Sequence, residues 1–180
     1  MYAHVFNTPA GFCGIAWGEA GITGFCLPSS RAASAEAAIR RRAGAELADL
    51  PDSLGEVAEA VRRYFLGEQA DFSAALLDLR AREPFFARVY AVVRTLRWGE
   101  TTTYGEVAAR LGAGPEAARD VGRAMGANPI PLLMPCHRVL GAGNRIGGFS
   151  APGGAETKRR MLAIEGVQLD DLPRQSAFAF

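Results

Sequence analysis

Gly112-Ala113-Gly114-Pro115 and Asn128-Pro129-Ile130-Pro131 bracket one short stretch of chain and leave room there for a single brief helix. Glycine breaks the helix before it, and Pro115 suits the first turn of the next. Asn128 precedes a proline, which biases it away from helical geometry and closes that helix. The spacing predicts a helix over 116–127. Upstream, Thr103 and Glu106 have capping-box spacing, which predicts a helix starting at Tyr104 and running to Leu111. Two short helices joined by a glycine turn make a helix-turn-helix. Behind the prolines, Leu132-Leu133-Met134 reads as a short buried run that leads into Pro135-Cys136-His137-Arg138-Val139.

A cysteine beside a histidine at the end of an apolar run is a candidate activated thiol. Only the thiolate attacks carbon well, and an imidazole can take the thiol proton. In an extended chain the two side chains would point to opposite faces, so a bend or a bridging water is needed to couple them. The imidazole in turn needs an orienting acceptor, normally a carboxylate. After Cys136 the acids are few: Glu156, Glu165, Asp170 and Asp171. Glu165 ends an apolar helix carrying Met161, Leu162 and Ile164, so it is the best placed for a buried role. Read alone, the dipeptide also fits a structural cysteine or a thiol hydrolase. The second short helix could place Arg119 and its small residues Ala117, Ala118 and Gly122 on DNA. It could equally be a helical hairpin with surface arginines.

Length bounds the rest: 180 residues suit one large domain or two small ones. No apolar run approaches the 18 or so residues that span a membrane, and the N-terminus lacks the basic start of a signal peptide. Three cysteines cannot form a fully paired disulfide set, which points to a reducing, cytoplasmic setting. His4, Cys13 and Cys26 offer at most a partial zinc site, without a C-x-x-C or an evident fourth ligand, so no metal is expected. The net charge of +1 hides an asymmetry: residues 1–80 carry −3, and residues 81–165 carry +5, nearly all of it arginine. Arginine suits phosphate contacts and stacking, so the half that holds Cys136 is also the half fit for a polyanion.

Residues 2–7, 12–17 and 21–27 read as strands punctuated by Thr8-Pro9-Ala10-Gly11 and Gly18-Glu19-Ala20-Gly21. Helices are predicted over 32–47, 56–66, 85–96 and 155–165, with 141–154 a loop. The expected class is α/β of the α+β kind. A small strand-plus-helix domain over 1–80 precedes a mostly helical domain over 84–170 that carries the helix-turn-helix, and a tail over 171–180 follows.

The stretch 118–125, then Asn128-Pro129 through Pro135-Cys136-His137-Arg138-Val139, Gly147-Gly148-Phe149-Ser150, Lys158 and Ile164-Glu165-Gly166 together resemble the O6-alkylguanine-DNA alkyltransferases, direct-reversal DNA repair proteins. The resemblance spans about 85–166. It implies a ribonuclease H-like N-terminal domain and a stoichiometric reaction without cofactor. In that reaction an alkyl group passes irreversibly from O6-alkylguanine, or O4-alkylthymine, in double-stranded DNA to the protein's own cysteine. By the same resemblance Cys136 is the acceptor, His137 its base through a water, and Glu165 the group orienting His137. Asn128 ties the helix-turn-helix to the active-site turn. Tyr104 presses on the phosphate beside the lesion and reaches the guanine. Arg119 fills the gap left by the flipped base, with Ala117, Ala118 and Arg123 along the same minor-groove surface. Pro135, Val139, Phe149, Ser150 and Met125 form the substrate pocket, and a monomer is expected. Phe149 stands where many relatives have tyrosine, and Ala151-Pro152-Gly153-Gly154 lengthens the covering loop relative to some members.

Overall fold

The computed structural model describes residues 1–79 and 83–169, so the expected tail over 171–180 lies outside the described residues. The chain forms two compact units that divide after Leu79. The first is a sheet with two helices. Strands β1 (Tyr2–Thr8), β2 (Gly11–Gly18) and β3 (Gly21–Ser29) pair antiparallel in sequence order. Both hairpins turn at glycines with positive φ. A Cβ on Gly11 would lie 2.6 Å from the Ser29 carbonyl oxygen, and one on Gly21 would lie 2.5 Å from that of Leu76.

Helix α1 (Ala32–Ala43) packs on one face, where Ile39 joins Ala3, Ala16 and Cys26 in a buried cluster. Helix α2 (Asp52–Phe65) lies against β1, with the Arg62 guanidinium 5.4 Å from the centre of the Phe6 ring. The predicted helix over 32–47 is too long. It stops where Gly44 takes the left-handed conformation, and Glu46–Leu47 becomes strand β4, parallel to β1. The sheet order is therefore β3-β2-β1-β4. α2 begins at Asp52, ahead of the predicted Glu56, because Pro51 supplies an extended N-terminal boundary.

In the second unit, helix α3 (Pro84–Val93) opens on proline and buries Phe86, Val89, Tyr90 and Val93 as one stripe. It ends before the predicted Leu96. The two-residue strand β5 (Thr102–Thr103) leads directly into α4 (Tyr104–Arg110) through a full capping box. Thr103 Oγ1 accepts from the Glu106 N–H, and Glu106 accepts from the Thr103 N–H. Pro115–Ala117 forms a 3₁₀ turn, and only at Ala118 does α5 (Ala118–Gly126) begin. The single predicted helix over 116–127 is thus two pieces. Tyr90 donates from its hydroxyl to the Ala124 carbonyl at 2.7 Å, tying α3 to α5.

Strand β6 (Val139–Leu140) pairs parallel with β5, and α6 (Gly154–Ile164) closes the unit on the cluster of Leu140, Ile146 and Leu162. The β5–β6 pairing sets Thr102 opposite Val139 and Thr103 opposite Leu140. It therefore brings the start of α4 beside the turn that precedes β6. No helix among the described residues is long and apolar enough to cross a membrane.

Candidate active site

Residues 128–138 carry the thiol, and every one of them is buried. A buried loop must satisfy its own polar backbone, and Asn128 does much of this. Its Oδ1 accepts from the Ile130 N–H at 3.0 Å, and its Nδ2 donates to the Met134 carbonyl at 3.0 Å. The same Nδ2 donates to Cys136 Sγ at 3.1 Å. Between these anchors Leu132 holds φ at 76°, a left-handed conformation that a branched side chain rarely adopts. Pro135 then turns the chain at ψ 60°, and Cys136–Arg138 closes a 3₁₀ turn. The extended arrangement that would separate Cys136 from His137 does not occur.

His137 is fully covered, and its Nε2 lies 2.6 Å from Glu165 Oε1. Arg138 grips the same carboxylate from the other side, Nε to Oε2 at 2.8 Å and Nη2 to Oε1 at 3.0 Å, while its Nη1 donates to the Leu96 carbonyl. The Gly99 N–H adds a donor to Oε2 at 3.2 Å. Burial works against the Glu165 charge, but the hydrogen bonds and positive charge of its neighbours prevail and hold the carboxyl down at about 2. Burial also pushes the His137 imidazolium down, against the pull of Glu165. A neutral ring beside an ionised carboxylate carries its hydrogen on Nε2, which leaves the buried Nδ1 as the basic nitrogen.

Burial pushes the Cys136 thiol up, whereas the Asn128 hydrogen bond and the charge of Lys158 pull it back. The thiol opens into a cleft of about 730 Å³. Thr103, Tyr104 and Gly105 from the start of α4 line it, as do Ala118, Arg119, Gly122, Met125 and Gly126 from α5 and Ala142, Gly148, Phe149 and Ser150 from the loop before α6. Burial, and then the nearby sulfur, push the Tyr104 phenol up.

Residues 84–167 match the family model described as "6-O-methylguanine DNA methyltransferase, DNA binding domain". The chain is 44% identical over 115 residues to a methylated-DNA–protein-cysteine methyltransferase of Mycolicibacterium paratuberculosis, covering 64% of this chain and 67% of that protein. It is 32% identical over 157 residues to the one from Methanothermobacter thermautotrophicus, covering 87% and 81%. It superimposes on the crystal structure of Mycobacterium tuberculosis OGT in complex with DNA with a TM-score of 0.73 at 32% identity, over 92% of each chain. The chain belongs to the methylated-DNA–protein-cysteine methyltransferase family.

Within this family member the residues singled out from the sequence fall into three groups. Asn128 with Cys136 and His137 with Glu165 form two hydrogen-bonded pairs, carried on adjacent residues of one turn. Tyr104, Ala118, Arg119, Met125, Phe149 and Ser150 line the cleft. Pro135, Val139, Ala117 and Arg123 do not. Pro135 and Val139 are buried in the turn and in β6, Ala117 ends the 3₁₀ turn, and exposed Arg123 pairs with Asp120 at 3.0 Å. Among the described residues no three of His, Cys, Asp and Glu converge as a metal site, and His4 Nδ1 meets the Ala48 carbonyl at 3.0 Å.

Sequence reasoning gave no role to Arg138 or Lys158. A signal for Lys158 was available: it stands three, four and seven residues before Met161, Leu162 and Glu165, on the face of α6 that turns inward. Arg138 had no such signal. An arginine following a buried histidine becomes notable only when Glu165, remote in sequence, is found to accept from both.

Proposed function

We propose that this protein repairs double-stranded DNA by moving the alkyl group of O6-alkylguanine, and of O4-alkylthymine, onto Cys136 Sγ, once per molecule. The observation that carries the reading is that Sγ opens into the same cleft that α4 and α5 line, so a nucleotide gripped by those helices meets the thiol. The α4–α5 pair is read as a helix-turn-helix with α5 in the minor groove. The cleft-facing residues of α5 include Ala118, Gly122 and Gly126, spaced four apart on one face and small enough for close backbone approach. The strand order β3-β2-β1-β4, with β4 parallel to β1, supports a ribonuclease H-like reading of the first unit. Three free cysteines suit the cytoplasm, and the protein is taken to act as a monomer.

The alkyl group is out of reach inside a stacked duplex, so the nucleotide must be extruded, at a few kcal/mol. Arg119, exposed in the first turn of α5, is assigned to the gap left behind, with Ala117 and Arg123 along the same surface. Tyr104 presses on the neighbouring phosphate, and its hydroxyl reaches the base. Met125, Phe149 and Ser150 wall the pocket, with Pro135 and Val139 supporting it from behind, and the Ser150 N–H faces O6. The Cys136 proton passes through one water to His137 Nδ1 while Glu165 holds the opposite edge of the ring. Sulfur attacks the alkyl carbon, the carbon–oxygen bond breaks, and the electron pair left on guanine is protonated from Tyr104, which regains a proton from solvent while His137 releases the one it took. The product is a thioether. It has no carbonyl for water to attack, so the sulfur is not regenerated.

Intact mass spectrometry before and after exposure to a duplex carrying O6-methylguanine tests this. One methyl should replace one proton, on the peptide containing Cys136. An unmodified peptide from folded, DNA-binding protein overturns the reading.

A further inference from the structure

Lys158 is the single lysine of the chain, and α6 turns it fully inward. Its Nζ donates to the Val139 carbonyl at 2.6 Å and stands 5.7 Å from the centre of the Tyr104 ring. Among the described residues no carboxylate takes it. Glu165, the buried acid of this unit, is held by His137, Arg138 and the Gly99 N–H. An ammonium removed from water without a counter-charge is costly, and one carbonyl with a ring face offsets only part of that cost.

Among the described residues few ionisable groups lie near Lys158. Tyr104 from α4 is pushed up by burial and is a phenol before transfer. His137 in the active-site turn is pushed down and is neutral until it takes the thiol proton. Glu165 and Arg138 neutralise each other. Cys136 remains: Lys158 holds the carbonyl of Val139, the residue that ends the Cys136–Arg138 turn, and stands over Tyr104, which lines the cleft with Cys136, so the ammonium pulls the thiol down and an ionised sulfur would hold the ammonium up.

We propose that Lys158 is the counter-ion of the Cys136 thiolate, acting through the sulfur and not on the alkylated base. The inference rests on alkyl transfer to Cys136 as described above and adds a group to it. Before transfer the sulfur is a neutral thiol, and afterwards it is a neutral thioether. Only the thiolate between them pairs with the ammonium. The attraction therefore falls on the reacting state, which is where binding energy accelerates a reaction. Burial, opposed by the sulfur, brings Lys158 down to about 8, so it is charged at neutral pH and discharges in mild alkali. As pH rises, the rate gains from thiol ionisation and loses the ammonium.

Two experiments test this, and the first does not depend on activity. Lysine labelled with ¹³C and ¹⁵N yields one side-chain signal, because the chain has one lysine. Followed against pH by NMR, it should titrate far below an exposed lysine. Where the thiolate forms it holds the ammonium up, so the parent titration should trail into the range of thiol ionisation, and Cys136→Ala should shorten it to a single, lower step. An ordinary titration, or one indifferent to Cys136→Ala, overturns the proposal, and this holds whether or not any Lys158 variant folds. Second, single-turnover transfer from an O6-methylguanine duplex is followed across pH for Lys158→Met and for Lys158→Gln, which keeps a donor for the Val139 carbonyl. Both should react about tenfold or more slowly at pH 7, since the rate below the thiol pKa tracks the thiolate fraction, and both should close on the parent as pH rises. Parent-like rates at pH 7, or an equal loss at every pH, overturn it. If the parent itself transfers nothing, the proposed function fails, and the lysine titration still reports on the pair.

Discussion

Cys13 lies in β2 with no exposure, and Cys136 lies in its 3₁₀ turn with 4%. Burial pushes both thiols up. Around Cys13 the hydrogen-bond partner is Thr8, while the sulfur of Cys26 pushes the thiol further up. The register pairs Cys13 with Phe6 and Cys26 with Gly14, so strand alternation sets the two on opposite faces. Around Cys136 an amide donor touches the sulfur, a buried ammonium is coupled to it, a histidine is held by a carboxylate one residue on, and a cleft opens on it. Burial alone silences a thiol. On the proposed function, what separates a reactive cysteine from a structural one is which polar groups are buried with it and whether a substrate can arrive.

The strongest test of that contrast exchanges the two sulfurs' fates. Cys136→Ala should abolish alkyl transfer while DNA binding persists. Cys13→Ala should leave the transfer rate within about twofold and cost about 1 kcal/mol of stability, the ordinary effect of a small core change. Single-turnover kinetics and urea unfolding read both. Slow transfer by folded Cys13→Ala would break the comparison.

Next in size is Glu165. Its folded carboxyl sits near 2, below the ordinary value near 4.3, so ionisation stabilises the fold above the unfolded pKa. That contribution, about 3 kcal/mol at neutral pH, should fade as pH falls from about 5 toward 2. Glu165→Gln leaves Arg138 buried without its counter-charge and should cost about 3–5 kcal/mol, with a flatter acid limb. Urea midpoints between pH 2 and 7 measure this. Parent-like acid sensitivity in Glu165→Gln would assign the effect elsewhere.

The smallest effect sharpens the role of the amide. Asn128→Ala removes partners from Ile130, Met134 and Cys136 together, should cost about 1–3 kcal/mol, and should slow transfer. Thr8→Val removes the polar neighbour of Cys13 and should alter stability alone. Equal transfer rates for the two variants would show that the contact to sulfur has no part in the chemistry.

Local chemistry decided much of this protein before any tertiary contact. The capping box at Thr103 and Glu106 starts α4 at Tyr104, Pro84 opens α3, Asn128-Pro129 ends the helix before the thiol, and the glycine turns separate the first three strands. These signals lie within a few residues of what they control, so they can be read along the chain. Strand β4 could not be read that way. Its two residues sit in an alanine-rich stretch with helical spacing, and only pairing with β1 makes them a strand. The short β5–β6 pair is of the same kind.

The site divides along the same line. Cys136 and His137 are adjacent, and Glu165 was marked by its apolar helix, so the candidates are legible one at a time. Their company is not. Arg138 on Glu165 spans 27 residues and Lys158 on Val139 spans 19. Whether those charges help or hinder the thiol depends on distance and burial in three dimensions. Sequence alone marked the candidates for the proposed chemistry, because reactivity resides in side-chain type and near spacing. The fold decided which of them meet and in which protonation states, because electrostatic coupling depends on proximity and exclusion of water, and the linear order of residues encodes neither.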